Sequence, residues 1–518
     1  MNFFKRLFSG ASKAAKRSYY KGAEVSRLVM DWVVSAISPD KELQNDLGKL
    51  RARARDLSRN NPHIRSYLQL LAVNVIGAYG FKLQAQVRNN DGYLNTTIND
   101  KIETAWKLWG KSASVCGRFT LLQLQHQGLR SWKTDGELFV YLVRGDFNKS
   151  QFALQFIDPD LIDHTYNRPR LVTSGTVQNE IRLGIEVDEW YRPIAAYVME
   201  KHPSEADGAR QYKRIPFFDQ AGNPQLLHIY DPDRINQTRG VTAFNAVMQA
   251  LKQFDGYTES ELVAARTAAA KMGFLRYTDA AYADISADVT NMHGISFEAA
   301  PGTIETLPPG LEFQSFDPQH PVSAFADFSK AVLRQVASGL NVSYNALTSD
   351  LENVNYSSMR SGLLMERDTW RTIQQTWSDK FLQPVYEAWL KQAMLAGAVQ
   401  LDNRDPTRFM EVKWLPRGWA WVDPLKDINA SILAINNGLA SRQEVLAETG
   451  QDYEETLEQL SEEKRLEEQY GVTFNTSGNA QALADANAAQ AAADAAANGN
   501  ANTQDNTKNT DNTPSGTN

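Results

Sequence analysis

Between Pro318 and Ala398 the chain lays down a helical pattern, a polar break and a second, longer helical pattern, and no other stretch restricts the fold as much. Val322, Phe325, Phe328, Val332, Val336 and Leu340 recur at steps of three and four, which predicts one apolar helix face. Gly339 stands where that helix should stop. From Asn341 to Ser357 no period is sustained, and Asn, Ser, Thr and Asp side chains compete for backbone hydrogen bonds, so a loop is expected. Helical spacing returns with Leu363, Trp370, Ile373, Trp377, Phe381, Val385 and Trp389, and Pro384 should kink or split that element. A large polar loop hung between two strongly apolar-faced helices needs a structural reason.

A chain of 518 residues has room for several domains, and 42% hydrophobic residues with 11 Trp and 22 Phe supply the cores. The single cysteine, Cys116, excludes an internal disulfide and a cysteine-based zinc cluster; it reads as a packed small side chain in a reducing compartment. No apolar run approaches the roughly 18 residues of a membrane span, and the apolar part of MNFFKRLFSG is too short for a signal peptide, so a soluble intracellular product is expected. Net charge is −7. Tight sequence-independent DNA binders are usually basic, because their affinity comes from neutralising phosphates. Composition alone therefore points away from DNA.

Residues 1 to 23 carry Lys5, Arg6, Lys13, Lys16, Arg17 and Lys21 without an acidic residue, a solvated basic arm or an anchor onto nucleic acid or an acidic partner. From Asp40 to Gly80 the pattern is helical. Arg51, Arg53, Arg55 and Arg59, with Asp46 ahead of them and Asp56 among them, read as a solvated helix face, and Asn60-Asn61-Pro62 starts a new helix. Phe81 to Val87 alternates as a strand.

Between Glu137 and Tyr230 the period becomes two, with strands expected at Leu138–Val143, Gln151–Ile157, Ile181–Val187 and Ile194–Met199, and a hairpin turn at Asp188–Pro193. Asp158, Asp160 and Asp163 could be hard-metal ligands, but Pro159 beside them favours turn and helix-start chemistry. Residues 241 to 272 are alanine-rich and helical, roughly 48 Å if continuous; Asp255-Gly256 weakens the middle and Thr258 with Glu261 could cap a second helix. Phe274–Tyr277 reads as a strand, and Thr303–Leu307 and Leu311–Phe316 flank the turn signal Pro308-Pro309-Gly310. After Pro424 helical spacing returns, with Ser441 as a cap before RQEVLAETG and an acidic, solvated helix over Glu454–Glu468. Beyond about Thr473 the Asn-, Ala- and Thr-rich sequence cannot offset its ordering entropy and is expected to be disordered.

No G-x-x-x-x-G-K-[ST] loop, G-x-S-x-G elbow or paired-histidine metal motif occurs, so no catalytic residue, metal or cofactor is assigned. A hydrolase using clustered carboxylates and metal, or a structural protein that assembles without meeting DNA, stays open as an alternative.

The segments NEIRLGIEVDEW, PGTIETLPPG, NVSYNALTSDLENVNYSSMRSGLLMERDTWR, GWAWVDPLKDINA and GLASRQEVLAETG resemble lambda-type phage portal proteins, in that family's order and over a stretch from roughly Leu50 to Gly471. The resemblance implies an α+β portal fold. After a basic arm (1–25) come a wing (26–240), a first stem helix (241–272), a clip (273–318) and a second stem helix (319–340). A tunnel loop (341–358), a long kinked helix with wing return (359–424), a helical crown (425–472) and a tail (473–518) follow. It implies a non-enzymatic ring, usually dodecameric, at one capsid vertex for packaging and ejecting double-stranded DNA. Its partners would be the terminase large subunit, major capsid and scaffold proteins and head–tail joining proteins, with no membrane. A channel that lets a duplex slide must avoid strong phosphate contacts, which suits an acidic chain. The tunnel-loop match makes Asp350, Glu352, Asn353, Asn355 and Tyr356 channel-lining residues, with Lys330 and Arg334 as basic candidates on the second stem helix. On the residues alone, the same stretch is an ordinary asparagine-rich surface loop. Family members commonly carry glycine near Tyr191, so the Asp188–Pro193 turn is expected to be looser here.

Overall fold

A computed structural model describes residues 36–173, 176–205, 210–269, 273–277, 311–315, 322–352, 356–401, 405–420 and 423–471, together with Arg27 and Val33. They form a mixed α/β protein, mostly helical, with small antiparallel sheets. The basic arm and the stretch beyond Gly471 lie outside the described residues. The chain divides into two compact units, the first reaching to Arg417 and the second beginning at Gly418.

In the first unit, helix α1 (Pro39–Asn60) has proline at its first position, where a missing N–H costs nothing. Asn61 ends α1 and caps α2 (Pro62–Leu71), its side chain accepting from the backbone N–H groups of His63 and Ile64. The predicted strand after Gly80 appears as β1 (Lys82–Ala85), paired antiparallel with Val412–Leu415. Helix α3 (Thr96–Trp109) follows, then α4 (Leu121–Asp135), which opens with a reciprocal capping box between Thr120 and Gln123.

Strands β2 (Glu137–Arg144) and β3 (Phe152–Ile157) fall where period two placed them. Two short strands, β4 (Leu171–Thr173) and β5 (Thr176–Gln178), make a separate hairpin. The single strand expected over Ile181–Val187 is instead a hairpin, β6 (Glu180–Arg182) and β7 (Ile185–Val187). Leu183 at φ 49° and Gly184 at φ 84° turn the chain between them, the two positive φ values that a two-residue hairpin favours. Strands β8 (Pro193–Met199) and β9 (Tyr212–Pro216) complete a four-stranded sheet, and β10 (Leu226–Tyr230) joins β2 and β3 in a three-stranded one. Phe139, Ile157, Ile162, Ile185, Ala196, Phe217 and Leu226 pack into one core cluster drawn from both sheets. The Asp188–Pro193 turn is not loose. Tyr191 sits at φ 60°, the Asp188 carboxylate accepts from the N–H groups of Trp190 and Arg192, and the Arg182 guanidinium stacks 4.3 Å from the Tyr191 ring.

Helix α5 (Met248–Ala269) runs unbroken through Asp255-Gly256, and its 22 residues extend about 33 Å. Thr258 does not cap a second helix: its hydroxyl donates back to the Phe254 carbonyl. Strands β11 (Gly273–Tyr277) and β12 (Leu311–Ser315) pair with each other, so the latter's described partner is the earlier strand, and Thr303–Leu307 lies outside the described residues. Helix α6 (Val322–Gly339) stops at the predicted glycine and packs on α5. Tyr257 meets the rings of Phe325 and Phe328 at 5.8 and 4.8 Å, and a Cβ on Gly339 would lie 2.5 Å from Val247.

The predicted loop contains a short helix, α7 (Tyr344–Thr348), because Ser343 caps it and Leu347 is buried. Then α8 (Tyr356–Trp377) gives way to a π-turn at Ser378–Leu382, which opens into α9 (Gln383–Leu395). Pro384 lies at the start of α9 and cannot donate a backbone bond, so the wider turn before it is where the long helix is interrupted. Trp370, Trp377 and Trp389 are buried, as their spacing predicts. Trp389 packs with Trp106, Trp109 and Tyr386, Trp414 joins through Trp106, and Trp377 stacks on Trp132. Strand β13 (Val412–Leu415) closes the pairing with β1.

Gly128 lets α4 approach this second aromatic group. A Cβ there would lie 2.9 Å from both Leu138 and Trp377. Gly128→Ala is therefore expected to destabilise the unit by about 1–3 kcal/mol through overpacking, read as a lower melting temperature.

In the second unit, α10 (Pro424–Asn436), α11 (Arg442–Glu448) and α12 (Tyr453–Tyr470) start at Asp423, Ser441 and Asp452. The predicted cap at Ser441 forms a full capping box with Glu444. No residue of these three helices is buried, in keeping with the acidic face expected over Glu454–Glu468.

Candidate functional site

Lys330 and Arg334 lie one turn apart on α6; Lys330 reaches the segment that follows α7, and Arg334 reaches Tyr344 at the start of α7. Lys330 Nζ is 2.9 Å from Glu352 Oε2 and 3.9 Å from Asp350 Oδ2. The Tyr344 hydroxyl donates to Asp350 Oδ2 at 2.8 Å, and the Arg334 guanidinium lies 5.5 Å from the Tyr344 ring centre. Asp350 Oδ1 accepts from the Glu352 backbone N–H at 3.0 Å. Residues read separately in the sequence, two loop carboxylates and two helix cations, thus come together in one cluster. Asn353 and Asn355 lie outside the described residues; Tyr356 opens α8, but its side chain also lies outside them.

The hydrogen bond it donates to the Glu352 carboxylate holds the Lys330 ammonium above its usual range. The Glu352 N–H and the Tyr344 hydroxyl hold the Asp350 carboxyl below its own. Two cations and two anions cancel. The cluster presents no nucleophile poised beside a base, and what it offers chemically is compensated charge in contact with solvent.

A second charged group escaped the sequence. Arg51, expected on a solvated face, is buried, as are Glu137 and Arg239. The Glu137 carboxylate accepts from Arg51, from Arg239 at 2.6 and 2.9 Å, from His228 at 2.8 Å and from the Gly240 N–H at 3.1 Å. Arg239 also donates to the carbonyls of Ile162, Leu183 and Pro159. Arg55 reaches Asp135, Asp158 and Asp160, while Arg53 and Arg59 stay exposed. The one sequence signal was position: Arg51 falls on the same helix stripe as Leu43, Leu47 and Ala54. This hub fastens α1 to the first strand of the three-stranded sheet.

The Asp158–Asp163 run does the turn work expected of it. Asp158 accepts from the Asp160 N–H, Asp163 from the Thr165 N–H, and Asp160 pairs with Arg51 and Arg55. Among the described residues no group of three or more His, Cys, Asp or Glu side chains is placed to hold a metal ion, and no helix is long and apolar enough to cross a membrane. Cys116 is not packed inside: its thiol is exposed, 3.5 Å from the Ser114 hydroxyl, whose hydrogen bond holds it below its usual pKa.

The hub makes stability depend on pH. Burial alone would push the Glu137 carboxyl up, but Arg239, Arg51 and His228 together hold it far below the usual carboxylate range. Burial pushes the His228 imidazole down against the pull of Glu137, so it stays neutral and donates. Both groups bind protons more readily when unfolded, so each contributes stability that is lost as pH falls. Melting temperature is expected to hold between pH 8 and 7, to begin falling below about pH 6.5 as unfolded histidine protonates, and to fall more steeply below about pH 4.3. Differential scanning calorimetry across pH 3–8 checks this.

The family model described as "Phage portal protein, lambda family" matches residues 26–374. The chain belongs to this family of portal proteins. It is 34% identical over 464 residues to a probable portal protein of Halomonas phage phiHAP-1, covering 88% of this chain and 87% of that one. It is 24% identical to portal protein B of Escherichia phage lambda, covering 83% and 85% respectively. Among solved structures it matches a chain from the neck of a native gene transfer agent particle with TM-score 0.41 and 12% identity, covering 78% of this chain and 93% of that one. As a lambda-family portal protein, this chain is a non-enzymatic component of the virion, part of the connector at a capsid vertex through which DNA is packaged. The acidic composition that argued against DNA is thus a portal's composition, and neither alternative left open by the residues, hydrolase or channel-free scaffold, describes it.

Proposed function

We propose that identical copies of this portal subunit, twelve in number, surround a channel whose wall meets duplex DNA weakly, and that Asp350 and Glu352 form rings on that wall. The observation that carries this reading is the pairing of Lys330 with both loop carboxylates, with Arg334 beside them. A cluster whose charges cancel gives phosphates little to hold, and a sliding duplex needs weak contact with every register it passes. Asn353, Asn355 and Tyr356 would extend the same polar surface.

In this reading residues 26–240 form the wing, α5 and α6 the paired stem helices, the stretch from 273 to 318 the clip, and α10 to α12 the crown. The aromatic groups around Trp389 and Trp377 pack the long interrupted helix against α3 and α4. The clip would meet the terminase large subunit during packaging and the head–tail joining proteins afterwards, and the wing and crown would face the major capsid and scaffold proteins. Residues 1–25 would be an accessory anchor. Negative-stain microscopy of the purified chain tests the assembly: annular particles with a central hole are expected, and a population that stays monomeric under assembly conditions would refute it.

A further inference from the structure

We infer that Lys330 and Tyr344 are positioning residues that latch the segment Ser349–Glu352 against α6, and that ionic strength opens the latch. The segment's attachments are of two kinds. Up to Thr348 the chain is fixed by packing: Leu347 is buried, and its carbonyl accepts from the Ser66 hydroxyl at 2.9 Å. Ser343 further bonds the Glu366 carboxylate at 2.9 Å. After Ser349, Leu351 is 66% exposed, so among the described residues apolar packing gives the segment little hold. What remains is polar: Lys330 to Glu352 and Asp350, the Tyr344 hydroxyl to Asp350, and the Asp350 N–H to the Thr348 hydroxyl at 3.3 Å.

Ser349 itself stands at φ 58°, a left-handed conformation unusual for serine. That residue reverses the chain at the end of α7 and aims Asp350 back toward α6, where Lys330 and Tyr344 receive it. The strained turn and the ion pairs therefore support one another. Ion pairs exposed to this degree are weak and screened by salt, with a screening length near 3 Å at about 1 M. The two carboxylates are held toward α6 in low salt and released, together with Lys330, as salt rises.

The latch is a property of one chain, but its consequence for packaging rests on the channel-lining reading of Asp350 and Glu352, so the two need separate readouts. Hydrogen–deuterium exchange on assembled full-length protein tests the latch, with wild type, Lys330→Gln, Lys330→Arg and Tyr344→Phe compared at about 50 mM and about 1 M salt. In low salt, Lys330→Gln and Tyr344→Phe are expected to speed amide exchange over Ser349–Glu352 about twofold to fivefold. Lys330→Arg should stay near wild type. Wild type in high salt should approach Lys330→Gln. Unchanged exchange in Lys330→Gln, or wild-type exchange insensitive to salt, overturns the latch; the salt comparison on wild type does so even if a variant fails to assemble. Translocation velocity is the second readout. Faster exchange with unaltered velocity leaves the latch standing and removes the channel role, whereas altered velocity with unchanged exchange overturns the latch alone.

Discussion

Glu137→Ala will destabilise the first unit by about 3–5 kcal/mol, the range for removing one partner of a buried ion pair. The reason is what stays behind. Arg51 is 1% exposed and Arg239 is wholly buried; Arg239 would face the gap without a paired carboxylate, and Arg51 would keep only Asp160. His228 and the Gly240 N–H lose their acceptor at the same time. Glu137→Gln keeps the shape and should cost less, since an amide oxygen still accepts. Replacing Glu137, Arg51 and Arg239 together with apolar side chains removes the unpaired charges and should recover part of the loss. It cannot recover all of it, because the carbonyls of Pro159, Ile162 and Leu183 then lose the guanidinium that serves them. Denaturant unfolding of the three variants beside wild type checks the order. A Glu137→Ala protein as stable as wild type would mean the hub contributes nothing.

Asp350→Lys combined with Glu352→Lys is expected to slow DNA translocation several-fold in low salt. In wild type the two carboxylates offset Lys330 and Arg334; in the variant four cations stand together on each subunit with no anion among the named groups. Repeated round a ring, they would neutralise phosphates and release counterions, so affinity for DNA rises and falls again steeply with salt. The expected signature is therefore a velocity that recovers as salt is raised, which a folding defect would not produce. Lys330→Gln alone frees the two carboxylates and removes a cation, so it should alter velocity but without this salt-reversible slowing. Packaging at wild-type speed by the double variant would count decisively against channel-lining rings at these positions.

Much of the helical skeleton was legible because its signals are local. Steps of three and four placed α6, α8 and α9, Gly339 ended one helix, Pro384 marked the interruption, and Ser441 with Glu444 wrote a cap into four consecutive residues. Period two found β2, β3 and β8 for the same reason. What was missed depends on partners distant in sequence. Nothing near Arg51 announces Glu137, 86 positions on, or Arg239, a further 102 positions beyond it, so a buried charge looked like a solvated one. The pairing of β11 with β12 was hidden because a nearer turn signal, Pro308-Pro309-Gly310, offered a more local hairpin for the second strand. At Leu183-Gly184 a two-residue turn interrupts an alternating apolar run too short to betray it. The helix inside the polar stretch depends on Leu347 finding a buried place beside α2, which composition could not foretell. Within the candidate site the residue types were legible, and their mutual contact was not, since Lys330 and Glu352 meet only because α7 folds the chain back.

The most direct measurement is a cryo-electron microscopy map of the assembled protein with duplex DNA threaded through it. It should place Asp350 and Glu352 at the narrowest level of the inner wall, with Lys330 turned to them rather than to the phosphates. A map with these side chains buried between neighbouring subunits, or on the outer surface away from the DNA, would contradict the account.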